Sequence, residues 1–184
     1  MEPLGQDEIR ASFVNCTRGE AKGVTLPARP EEIPWENREF LGWRDPKAAS
    51  RAYLVLPYRG ETVGLSLRAA PRPKGRVLLS NMCGLCTTTH PLSDIALFSG
   101  RRAGKSGREG NTLGIYACAN LACSQYIRGE LQSDVPQPFE SLTLEERVFR
   151  LEDKLHRFVE RVLESRSRGA SALRTASAGS APSS

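Results

Sequence analysis

The chain has 184 residues, enough for one ordinary domain or a small module joined to a modest second core, and too few for a multi-domain enzyme. Its 26 Lys and Arg against 21 Asp and Glu give a formal charge of +5, a mild lean towards acidic partners such as nucleic acid or an acidic protein face. No stretch approaches the roughly 18 apolar residues of a membrane span, and Met1-Glu2-Pro3-Leu4-Gly5 lacks a basic segment followed by an apolar one, so a cytoplasmic protein is expected.

Residues 6–16 place Ile9, Phe13 and Cys16 at helical spacing and predict a short helix. Residues 19–34, broken by Gly19, Gly23, Pro27, Pro30 and Pro34, read as a connecting loop. Residues 52–58 and 62–67 are rich in strand formers and are separated by Arg59-Gly60-Glu61, a hairpin pattern. Residues 76–80 predict a third strand that delivers the chain to a first cysteine pair. Residues 94–98 and 112–116 are strand candidates flanking a glycine-rich basic loop, and the second leads to another cysteine pair.

From Ser141 the pattern becomes helical, with Thr143 and Glu146 in capping-box spacing. Leu144, Val148, Leu151, Leu155, Phe158 and Val162 form one apolar stripe on a helix of about 140–165. It is expected to pack on the domain's own sheet, the alternative being a partner helix. Residues 166–184 are mostly Ser, Ala, Gly and Arg, and are expected to form a disordered tail because they cannot bury enough apolar surface to offset ordering entropy.

Cys83-Gly84-Leu85-Cys86 is a C-x2-C knuckle, and Cys118 and Cys123 form a C-x4-C pair 31 residues further on. In a reducing compartment such pairs are metal ligands or redox thiols more often than disulfides, and four thiolates suit tetrahedral zinc. Five residues of continuous helix would rotate Cys123 about 140° from Cys118. The consistent arrangement therefore puts Cys118 at a strand end, Asn120 as N-cap and Cys123 in the first helical turn. Knuckle, hairpin and a ligand at a helix start is the order of a treble-clef zinc finger. His90 is a possible substitute ligand, and a redox Cys83–Cys86 pair would leave Cys118 and Cys123 unexplained. Cys16 reads as a half-buried small apolar side chain.

Gly104-Lys105-Ser106 resembles the end of a phosphate-binding P-loop, but Ser99 stands where that motif needs glycine, so nucleotide hydrolysis is not expected. No nucleophile–base or paired-carboxylate arrangement stands out either, and the expectation is a protein that is not an enzyme. In the loop 100–111, Arg101, Arg102, Lys105 and Arg108 can contact phosphates or carboxylates, the alternative being a solvated hairpin tip.

Phe40-Leu41-Gly42-Trp43-Arg44-Asp45-Pro46, the knuckle with Met82 before it, Arg102-Ala103-Gly104, Gly110-Asn111-Thr112 and Cys118-Ala119-Asn120-Leu121-Ala122-Cys123-Ser124 resemble the FBP family. That family shares a C-terminal treble-clef zinc finger with elongation-factor-G-binding, fusidic-acid-resistance proteins of the FusB type. The resemblance covers about residues 6–165. It implies a non-enzymatic role: in the resistance proteins this domain docks on elongation factor G and helps free it from a stalled ribosome. Carried over by position, Cys83, Cys86, Cys118 and Cys123 are the metal ligands. The resistance proteins have an N-terminal helical bundle, whereas only residues 6–16 read as helix here.

The resulting expectation is an α+β protein, a small antiparallel sheet with a treble-clef zinc finger and a C-terminal packing helix. Its segments are 1–75 (helix, loop and β-hairpin), 76–132 (the finger), 138–165 (amphipathic helix) and 166–184 (tail). The expected function is that of a non-enzymatic zinc-binding protein that binds elongation factor G, the ribosome or both, acting in translation, through Arg101, Arg102, Lys105 and Arg108. The alternatives are a module binding ribosomal RNA by its backbone, and a zinc-stabilised domain with an unrelated protein partner.

Overall fold

A computed structural model describes residues 1–71 and 79–164. The predicted tail at 166–184 and most of the predicted strand at 76–80 lie outside the described residues. Helix α1 (Gln6–Ala11) begins where the Glu8 carboxylate accepts the Gly5 amide at 2.6 Å, and it is shorter than the spacing predicts. It stops because Ser12 and Val14 exchange backbone hydrogen bonds with Gly64, 2.9 and 3.0 Å, so Phe13 bridges a strand instead of continuing a helical face. The loop expected at 19–34 opens with α2 (Arg18–Lys22), capped by Thr17 and Glu20.

The main sheet contains β1 (Leu41–Asp45), β2 (Ala48–Tyr58), β3 (Glu61–Ala69), β6 (Ile95–Arg101) and β7 (Thr112–Cys118), all antiparallel and in that spatial order. The predicted hairpin is β2–β3, with Tyr58 opposite Glu61. A two-stranded ribbon, β4 (Ser80–Met82) with β5 (Thr89–Pro91), carries the first cysteine pair between its strands. Because β3 pairs with β6, segments 1–75 and 76–132 share one sheet.

Period-two alternation gives each face of that sheet its own core. On one face Leu54, Leu56, Leu65, Leu67, Phe98 and Ala117 meet the knuckle and the C-terminal helix. On the other, Tyr53 and Val55 meet Trp43, Trp35, Val24 and Ile9 from the N-terminal segments. The last helix, α5 (Leu144–Leu163), has the predicted Thr143–Glu146 capping box. It packs on the protein's own sheet through Leu151, Leu155, Phe158, Val159 and Val162, each burial contributing roughly 1.5–3 kcal/mol. Leu144, in the first turn of α5, remains 38% exposed.

The basic loop departs most from expectation. Residues Gly104–Arg108 form a helical turn, α3, in which Ser106 and Gly107 are buried. The Ala103 amide donates to the Val162 carbonyl at 2.8 Å, and Arg102 Nη1 donates to the Arg161 and Glu164 carbonyls at 2.8 and 3.1 Å, which caps α5. Gly107 sits so close to the Arg102 backbone that a Cβ would overlap its carbonyl oxygen. Gly107→Ala is therefore expected to lower stability by about 1–3 kcal/mol in urea denaturation, through overpacking, while leaving metal content unchanged. A truly flexible tip would tolerate the methyl group.

Candidate metal centre

Cys83 and Cys86 lie between β4 and β5, where the Cys83 amide donates to the Thr88 carbonyl at 2.9 Å and the Thr87 amide returns to Cys83 at 3.0 Å. The amides of Leu85 and Cys86 both point at the Cys83 sulfur, each 3.4 Å away. Such N–H donors stabilise a thiolate. Gly84 matters here for a reason the spacing does not reveal. Its amide donates to the Tyr116 carbonyl of β7 at 2.8 Å, and a Cβ would stand 2.8 Å from that same oxygen, so glycine lets the knuckle dock on the strand that delivers Cys118.

Cys118 ends β7 and Cys123 opens helix α4 (Cys123–Ile127), as the rotation argument requires. Four intervening residues fit because the Leu121 amide closes a turn onto the Cys118 carbonyl at 2.8 Å with Leu121 at a φ of 57°. Asn120 does not cap the helix as predicted. Its Oδ1 accepts the Ala122 amide at 3.1 Å one step earlier, and Ala122 is the N-cap residue.

The four sulfurs are buried and lie within 4.8 Å of one another. Cys83–Cys123 and Cys86–Cys118 are 3.7 and 3.5 Å apart, far beyond a disulfide bond. A zinc ion holding four thiolates at about 2.3 Å spaces them by about 3.8 Å, so this donor set fits tetrahedral zinc. Hydrogen bonds with Cys118 and then Cys123 hold the Cys86 thiol far below the usual range. Cys123 is pushed well above it by hydrogen bonds with Cys118, Cys83 and Cys86 and by burial. The cluster alone thus shares protons among its sulfurs, and a bound cation is what allows all four to ionise.

His90 is 1% exposed and stands outside the four-sulfur group, with Nε2 3.3 Å from the Cys118 sulfur and its ring edge-on to Tyr126. That position suits a hydrogen bond to a ligand sulfur. Cys16 is half-buried and remote from the cluster, and burial raises its thiol pKa, Glu20 adding to the shift.

Residues outside the cysteines hold the site in place. Phe40 packs into the core around the finger, and Arg44 Nε donates to the Ala119 carbonyl at 2.7 Å, bracing the turn between Cys118 and Cys123. At the far end of α4, Arg128 grips the Glu39 carboxylate through two bonds of 2.6 and 2.9 Å. Sequence reasoning attached no role to these contacts, although Phe40 and Arg44 belong to a motif it singled out.

The four expected partner-binding cations stand in different surroundings. Arg102 is committed to the carbonyls of α5, and Arg101 reaches the Glu20 carboxylate at 3.6 Å across the sheet edge. Lys105 and Arg108 are exposed on α3. Lys105 and Ser106 do lie in a helix, but one of five residues with Ser106 buried, unlike the helix that follows a P-loop. Among the described residues no helix is long and apolar enough to cross a membrane.

Residues 8–162 match the family described as FBP C-terminal treble-clef zinc-finger. No curated protein and no solved structure matches the chain.

Proposed function

Because the chain belongs to the FBP C-terminal treble-clef zinc-finger family and binds zinc through a closed set of four cysteines, we infer that it is a non-enzymatic binding protein of the cytoplasmic translation machinery, with elongation factor G on the ribosome as its target. Four thiolates leave no open coordination position for a reacting water, which supports a structural metal.

The observation that carries the binding reading is a groove of about 510 Å³ beside the finger, between the knuckle, α4 and the first turns of α5. Gln137 fixes its outer wall, its amide pairing with both backbone groups of Thr89 at 2.9 and 2.8 Å. Phe139 is 96% exposed at its rim and Met82 48% exposed. An aromatic anchor beside a preformed groove suits a protein partner; at its edge Arg150 is already paired with Glu140 at 2.6 Å, and Arg147 is the remaining cation of the lining. The basic turn α3 lies near the opposite end of α5, roughly 20 Å away by helix rise, so Lys105 and Arg108 form a separate, steering contact.

Phe139→Asp is expected to weaken binding to elongation factor G at least about tenfold in surface-immobilised titrations, with zinc content and melting temperature retained, since so exposed a side chain supports little of the fold. Lys105→Glu with Arg108→Glu should slow association, an effect that fades at high salt. Full affinity of both variants for factor and ribosome would reject this reading.

A further inference from the structure

The N-terminal segments cover only part of the second sheet face, and what they leave bare has a distinct chemistry. Partners in an antiparallel ladder share a face, as do alternate residues along a strand. The registers Arg51↔Arg68, Arg68↔Ser99 and Ser99↔Gly114 therefore set one row across four strands. Arg101 lies two residues along β6 on the same face, and Tyr116, 53% exposed, lies two along β7. Arg51, Arg68 and Arg101 are all exposed. Arg51 directly opposite Arg68 is a like-charge cross-strand pair, an arrangement that disfavours the bare protein and that a bound anion relieves.

The face is also shaped. Beyond Leu67 and Gly100 the β3–β6 ladder ends, and Asn15 fills the fork, donating to the Ser66 and Arg101 carbonyls at 3.0 Å each and accepting the Ser66 amide at 2.8 Å. Asn15 is 6% exposed and locks the fork open. A cleft of about 350 Å³ results, with Arg51, Arg68 and Arg101 on its walls and hydroxyls of Ser66, Ser99 and Thr112 between them. Glu20 is the one carboxylate among its lining residues; one of its oxygens accepts the Thr17 amide at 2.7 Å and the other lies 3.6 Å from Arg101, a loose and exposed pair that a phosphate on Arg101 displaces.

We propose that this open sheet face binds single-stranded nucleic acid, with phosphates in the arginine cleft and a base stacked on Tyr116. Guanidinium forks match phosphate oxygens, the exposed Tyr116 ring beside its cross-strand partner Leu97, which lies over Gly114, offers a stacking platform, and unpaired bases alone can reach it. Strand spacings of about 4.8 Å and about 3.4 Å per residue put ring and arginines within reach of one short strand. The contrast with the Phe139 groove separates the two surfaces: that one is apolar with charged edges, this one cationic and hydroxyl-lined. The inference does not depend on the elongation-factor reading.

The test is fluorescence anisotropy with labelled 12-mers of uridine and of deoxythymidine, on the zinc-loaded full chain. Wild type should bind at least one of them, with a log–log salt slope of about −2 for three phosphate contacts on a single strand. The tighter oligomer identifies the preferred sugar. Arg51→Gln/Arg68→Gln/Arg101→Gln should weaken binding at least about tenfold and flatten the slope, and Tyr116→Ala should weaken it about fivefold or more. Both variants should keep zinc and melting temperature, since every altered side chain is exposed. No binding of either oligomer at 50 mM salt, equal affinity of the arginine variant, an unmoved Tyr116→Ala, or equally tight binding of a glutamate 12-mer would each overturn the proposal.

Discussion

Cys123→Ser is expected to release the zinc and unfold the finger, whereas Cys16→Ser is expected to keep both. Cys123 is fully buried at the start of α4, among Leu85, Ala119, Leu121 and Ile127 in the same core. Metal coordination there is folding free energy, about 10–16 kcal/mol for structural zinc in small fingers near neutral pH, and three ligands retain only part of it. Loss of even an outer-sphere partner costs about 10–100-fold in metal affinity, so loss of a thiolate is expected to exceed 100-fold. A chromophoric chelator competition reads that ratio directly. Cys16→Ser should compete as wild type does, because its sulfur lies outside the cluster. The reverse pattern would mean that the ligand set is wrong.

Arg128→Met is expected to lower stability by about 3–5 kcal/mol without removing a metal ligand. The Glu39 side chain is 4% exposed and its partner 16%, so truncating the guanidinium leaves a carboxylate buried without its counter-charge. For a chain of this size that corresponds to a melting temperature lower by roughly 10 °C. The double change Glu39→Leu/Arg128→Met should recover much of the loss, since a buried pair replaced whole by apolar groups is often nearly neutral. If Arg128→Met stayed within about 1 kcal/mol of wild type, the clamp between α4 and the approach to β1 would be dispensable. Zinc content measured on the same samples separates this route of destabilisation from that of Cys123.

The cysteine centre was readable from sequence because its chemistry dictates spacing: two thiolates three residues apart can converge on one ion, and five helical residues cannot carry Cys118 and Cys123 to the same side. Helix α5 was readable from its 3.6-residue period and its capping box, both local signals. What sequence hid depends on distant partners. Glycines in loop 100–111 suggest flexibility, but Gly107 is small because the Arg102 backbone crosses it, which only the folded turn reveals. Helical spacing at 6–16 was overridden by the Ser12 and Val14 bonds to Gly64, some fifty residues away. Arg44 and Asn15 each reach carbonyls far along the chain, Ala119 for one, Ser66 and Arg101 for the other. Neither follows from a period or a motif. The two exposed surfaces were likewise scattered in sequence and become contiguous only through the β3–β6 pairing and the packing of α5 on the finger.

The most direct measurement is the metal content of the purified chain, taken together with its thiol count. The four-cysteine centre predicts one zinc per polypeptide and a single thiol open to reagent in the native state, the half-buried Cys16, which reacts slowly because burial and Glu20 raise its pKa, with the other four becoming reactive only after chelation in denaturant. A protein that carried no zinc, or whose five thiols all reacted at once in the native state, would contradict it.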